Sequence, residues 1–190
     1  GHYCECFKKL LKRLSYDELS RDSKVRDSRF DNFRIDFYPD SEKDKMRDIV
    51  EYCKSWADDF NENSPSVLMF GSTGLGKTHL SLAMADVVIN KGYGVIYGSA
   101  QNLFRKTEDE HFGRAKSDID TESALLDCDL LILDDLGAEF STQFTQALLY
   151  NIINTRINTS KPTIINTNLS PDEIEATYSQ RIASRIIGEY

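Results

Sequence analysis

Cysteine is scarce in this chain: four residues in 190, at positions 4, 6, 53 and 128. They are too few and too scattered for a disulfide framework, which points to a reducing, cytoplasmic home. Long apolar runs are also missing. None approaches the ~20 residues that span a bilayer, and no secretory leader pattern opens the chain. Basic charge is in deficit, with 23 Lys and Arg against 31 Asp and Glu and a net charge of −8. That excludes a surface coating nucleic acid by bulk charge and leaves only local patches. Internal repeats and low-complexity tracts are absent, so a solenoid is excluded. What remains is a globular composition, 40% hydrophobic, 28% charged and 11% aromatic, long enough for one domain with a substantial core.

The charge is unevenly spread. Residues 1–30 carry eight basic against five acidic side chains, whereas residues 31–63 carry five against ten. The chain opens on Gly1-His2 and an isolated Cys4-Glu-Cys6, which reads as a piece cut from a longer protein. Phe7, Leu10, Leu11 and Leu14 at helical spacing predict a helix over 7–19. Residues 20–41 are polar with scattered aromatics and read as an extended linker, after which Ser41 caps a helix over 42–60. Strand and helix then alternate: strands over 66–70, 94–99, 129–134 and 161–168, helices over 77–91 and 142–158, and short helices to the end. Residues 101–113 and 118–127 between the second and third strands read as helical or irregular. Alternation of this kind predicts an α/β fold, a parallel sheet with helices on both faces.

Gly71, Ser72, Thr73, Gly74, Leu75, Gly76, Lys77 and Thr78 match G-x-x-x-x-G-K-[ST] in full, between a strand and a helix. Glycine permits the backbone angles that turn successive N–H groups inward, and the helix N-terminus behind them is electropositive. The product is an anion nest for nucleotide phosphates. Lys77 is placed for the β- and γ-phosphates and the Thr78 hydroxyl for Mg²⁺. The bland reading is a glycine-rich turn of an α/β protein.

The apolar run Leu130–Leu133 ends in Asp134 and Asp135. A carboxylate at a strand's C-terminal edge sits where open α/β sheets bind ligands. Asp134 suits a cation and Asp135 a general base on the attacking water. Two solvated turn acids before Gly137 would look the same. Asn166, Thr167 and Asn168 end another apolar strand, and asparagine is a poor strand former. Such an amide either orients water and phosphate or caps the following turn.

With "GSTGLGKTHL", "LLILDDLGAE", "PTIINTNLS" and "SQRIASRIIG" in this order, the sequence resembles the bacterial replicative helicase loaders of the DnaC/DnaI family, AAA+ P-loop ATPases, and their relatives the IstB-like ATPases. The likeness runs from about residue 30 to 190. It implies an AAA+ sheet of order 5-1-4-3-2 without a lid domain, the fifth strand falling beyond the sequence given. It also implies an ATPase domain over 41–190, preceded by a helix and linker over 1–40 left from a zinc-type N-terminal region. "RFDNFRIDFY" resembles the linker leading into the nucleotide site. By the same resemblance Asn168 is the sensor residue, and Arg185 in "ASRI" is the arginine finger that completes a neighbouring subunit's site, with Arg181 one turn before it. ATP or ADP with Mg²⁺ as cofactors follow from it. So do a replicative helicase, single-stranded DNA and self-assembly as partners.

Other residues stay with structure. His79 reads as packed or solvent-facing, and Cys53 and Cys128 as buried thiols. Cys4 and Cys6 supply two of the four ligands zinc wants, so no intact zinc site is expected. Phe104, Arg105 and Lys106 combine an aromatic with two basic groups, as single-strand stacking requires, or form an ordinary helix surface. Three other functions compete with helicase loading: a transposition helper of the IstB type, a P-loop kinase for a small metabolite, and a nucleotide-binding module without turnover.

Overall fold

The computed structural model describes residues 28–115 and 120–190; the helix expected over 7–19 and the Cys4/Cys6 pair lie outside them. The elements in chain order are α1 (Asp40–Asp58), β1 (Val67–Phe70), α2 (Lys77–Asn90), β2 (Val95–Ser99) and α3 (Ala100–His111). There follow α4 (Thr121–Asp127), β3 (Leu130–Leu136), α5 (Gln143–Asn158), β4 (Thr163–Thr167), α6 (Pro171–Thr177) and α7 (Gln180–Glu189). The four strands are parallel and ordered β1-β4-β3-β2, the expected order without the fifth strand that would flank β1. A fifth strand is not found among the described residues.

Local chemistry sets the element ends. Ser99, Asp120, Thr142 and Ser170 each accept a backbone N–H from the first turn of the helix they precede, and Pro171 opens α6 where no N–H is needed. α1 starts two residues before the expected position, at Asp40, with Pro39 rather than Ser41 as its N-cap residue. Strand alternation divides the core in two. Leu131, Leu133 and Ile165 point to one face, packed with Phe104, Leu149, Ile152, Ile182 and Ile186 from the helices between β2 and the C-terminus. Leu130, Ile132 and Ile164 point to the other, against Cys53, Trp56 and Ala57 of α1 and Leu80, Met84 and Val88 of α2. α2 is apolar around most of its circumference because it lies between the sheet and α1.

Two segments depart from the sequence reading. The stretch expected as extended linker contains two short 3₁₀ turns, Phe30–Asn32 and Ile35–Phe37, with Phe30 and Phe33 packed on the α1/α2 core. The third strand does not stop at Asp134 but runs to Leu136 through a bulge: Leu133 pairs with Ile165 and Leu136 with Thr167. One extra residue is thus inserted in β3, and Asp135 absorbs it with φ of 52°, a left-handed conformation that aspartate tolerates better than most residues.

Candidate nucleotide site

The loop 71–76 joins β1 to α2 at the C-terminal edge of the sheet. Gly76 has φ of 76°, and a Cβ built on it would lie 2.7 Å from the Phe33 ring, so only glycine fits here. The Lys77 ammonium turns back into the loop and donates to the carbonyls of Gly71 (2.8 Å) and Ser72 (2.9 Å) and to Asn168 Oδ1 (2.9 Å). Partial burial lowers its pKa from the ordinary lysine value, opposed by the charges of Asp135 and then Asp134.

Asp134 is buried, 5% exposed, at the centre of the site. The Thr78 hydroxyl lies 3.0 and 3.1 Å from its two carboxylate oxygens. Tyr97 donates its O–H to Oδ2 (2.7 Å) and the Asn166 amide donates to Oδ1 (2.8 Å). Burial, followed by the hydrogen bond to Asp134 and the two aspartate charges, pushes the Tyr97 phenol far above its usual range, so it stays a donor. Asp135 is exposed; burial of part of its carboxyl and the adjacent Asp134 raise its pKa, and Lys77 opposes them.

Beside the loop, residues from Asn32 to Glu42 wall a cavity of about 350 Å³, with Phe33, Phe37 and Tyr38 on one side and Gly74, Leu75 and Gly76 on the other. The Tyr38 O–H donates to the Leu75 carbonyl (3.1 Å). His79 is 2.9 Å from the Arg29 carbonyl through Nε2 and meets the Phe33 ring edge-on. His79 therefore fastens the linker to α2.

Of the residues singled out in the sequence, Lys77, Thr78, Asp134, Asp135 and Asn168 converge at one sheet edge. Arg185 does not join them. It is half-exposed on α7, which packs with α5 and α6 on the face opposite α2, and Arg181 is exposed one turn earlier. Phe104 is 1% exposed and belongs to the core, which corrects its reading as a stacking residue. An accessible ring lies instead just past the end of the same helix, at Phe112 (54% exposed). Phe112 packs with His111 and Phe144 at centroid distances of 5.0 and 5.8 Å, and the Arg114 guanidinium lies over its ring. Sequence reasoning missed Tyr97, whose only signal is a hydroxyl near the end of an apolar strand. It noted Asn166 without separating its task from that of Asn168.

A buried carboxylate beside a threonine hydroxyl offers the hard oxygen ligands magnesium prefers, and the lysine's acceptors are ones a phosphate replaces. Asn166 Oδ1 is a buried acceptor without a donor among the described residues, suited to a cation-bound water. The residues present fit a magnesium nucleotide.

Comparison with known proteins agrees with the architecture. The chain is 26% identical over 160 residues to the replicative helicase loader DnaC of Buchnera aphidicola subsp. Acyrthosiphon pisum, covering 83% of this chain and 62% of that protein. The chain thus spans about three fifths of the length of this curated relative. A crystal structure of the DnaC helicase loader superposes with a TM-score of 0.73 at 22% identity, over 88% of this chain and 96% of that one. AMPPCP-bound DnaA from Aquifex aeolicus gives 0.70 at 26% identity, over 86% and 48%. The sheet is thus an AAA+-type P-loop fold. Residues 13–187 match the model of the IstB-like ATP binding proteins, and the chain belongs to that family.

Proposed function

We propose that this chain is the ATPase part of a cytoplasmic helicase loader that places a replicative helicase on single-stranded DNA, working as assembled subunits. The observation that carries the reading is the convergence of Lys77, Thr78, Asp134 and Asn168 on one sheet edge. Residues 71–78 would hold the phosphates through backbone N–H groups, and Lys77 would neutralise them. Thr78 and Asp134 would hold Mg²⁺, and the aromatic cavity of Phe33, Phe37 and Tyr38 has the chemistry to hold a base. Mg-ATP, when bound, supplies the phosphoanhydride whose hydrolysis drives the cycle. Asp135 would take the proton of the attacking water, Asn168 would orient that water and the terminal phosphate, and Arg185 would serve a neighbour's site.

The His111–Phe112–Phe144 cluster with Arg114 supports the DNA part of the reading, since the exposed Phe112 ring beside a guanidinium suits base stacking. The helicase partner rests on the names of the curated relatives. The family match favours a second reading, a transposition helper with the same engine.

The test uses the protein with any further sequence its gene encodes, mixed with the purified replicative helicase of its own genome. ATP-dependent complex formation and transfer of the helicase onto a single-stranded circle are expected. Weakened oligonucleotide binding by the Phe112→Ala/Phe144→Ala pair is expected too. Binding to a transposase with none to the helicase would favour the second reading.

A further inference from the structure

The Asp134 carboxylate is held from both sides by neighbouring strands. Tyr97 of β2 donates to Oδ2 and Asn166 of β4 to Oδ1, one donor for each oxygen. The Asn166 amide also donates to Ser81 Oγ (2.8 Å), whose own hydroxyl donates to the Thr78 carbonyl (3.0 Å). Because the serine proton is used on Thr78, its oxygen faces Asn166 as an acceptor, and an ionised Asp134 accepts only. Both neighbours therefore require the NH₂ end of the amide, and its orientation has no alternative. The cost is the buried Asn166 Oδ1 without a donor among the described residues. A residue serving packing alone, between Ile165 and Thr167 in a buried strand, would be aliphatic and carry no such cost.

We propose that Tyr97 and Asn166 are positioning residues for the cation: they fix the plane of the Asp134 carboxylate and link it, through Ser81, to the helix that carries Thr78. The inference rests on the reading of Asp134 and Thr78 as the Mg²⁺ site. Hydrogen-bond partners of metal ligands set ligand orientation, and their loss commonly weakens metal binding by about 10–100-fold. Tyr97 and Asn166 would act on the cation chiefly through the Asp134 carboxylate that both of them contact.

The test measures affinity for a fluorescent ADP analogue in EDTA and across a Mg²⁺ series, on wild type, Tyr97→Phe, Asn166→Leu and Asp134→Asn. Tyr97→Phe keeps the ring and its packing, so it carries the test if the buried asparagine variant fails to fold. Wild type should bind more tightly with Mg²⁺, and Asp134→Asn should lose that gain. Tyr97→Phe should need about 10-fold more Mg²⁺ for the same gain, with EDTA affinity unchanged. A wild-type Mg²⁺ requirement in Tyr97→Phe, or equal weakening with and without Mg²⁺, overturns the positioning role alone. An undiminished Mg²⁺ gain in Asp134→Asn overturns the cation reading of the site and this inference with it.

Discussion

Lys77 spends its three donors on the loop's own carbonyls and on Asn168, so its ammonium stands where a phosphate would compete for it. None of the core packing depends on that charge, because the ammonium sits at the sheet edge while α2 buries Leu80, Met84 and Val88. Lys77→Ala should therefore abolish measurable ATP binding in calorimetry while leaving the far-ultraviolet circular dichroism unchanged. The two aspartates should separate by phenotype. Asp135 is exposed and the Thr78 hydroxyl bonds Asp134 instead, so Asp135→Asn should bind Mg-ATP with near-normal affinity. Its turnover should fall by about 10²–10⁴, the usual contribution of a general base. Normal turnover in a phosphate-release assay would return Asp135 to a turn-forming role.

At the scale of elements, much could be read from local pattern. The phosphate loop, the acid-ended strand and the alternation of strand and helix each leave a signature within a short stretch of sequence, and the four strands and the helices α2 and α5 lie within about two residues of their expected bounds. The bulge in β3 could not be read this way, because it is a mismatch in length between β3 and β4, two strands that lie far apart in the sequence and meet only in the folded sheet. Its consequence is nonetheless physical: strict alternation would turn Asp135 into the apolar face with Leu131 and Leu133, and the extra residue gives that place to Leu136. The linker was similarly opaque. Its aromatics at 30, 33, 37 and 38 are visible in the sequence, but the loop they cover is decided by tertiary packing. Arg156 is a third case, a basic residue near the end of α5 that the sequence pattern does not single out and that is fully buried. Its guanidinium donates to Thr163 Oγ1 (2.8 Å) and to the carbonyls of Leu125 (2.9 Å), Cys128 (3.0 Å) and Pro162 (2.6 Å). It thereby ties the ends of α4 and α5 to the start of β4. Arg156→Met would leave several buried acceptors unpaired at about 1–3 kcal/mol each. Urea denaturation should show a loss of about 3 kcal/mol or more, with nucleotide affinity retained in whatever fraction stays folded.

For the whole molecule, the sheet separates two tasks. The phosphate loop and α2 lie on one face, whereas α7 lies on the other, with Ile182 and Ile186 buried against the second core and Arg185 left half-exposed. Among the described residues no acceptor pairs with the Arg185 side chain. Under the proposed function, this cation on the face away from its own phosphate loop would serve another copy's nucleotide. A guanidinium supplied in this way contributes about 10³–10⁵ in rate through charge on the transferring phosphoryl group. Arg185→Ala should keep wild-type ATP affinity in the isolated subunit and lose most of its turnover. Wild-type turnover should rise more steeply than linearly with protein concentration, as assembly completes sites. Mixing Arg185→Ala with Lys77→Ala should restore part of the activity, because the first retains an intact loop and the second an intact arginine. The mixture is assayed where light scattering shows mixed assemblies to form. No recovery under those conditions would remove Arg185 from the site and leave it a surface charge of α7.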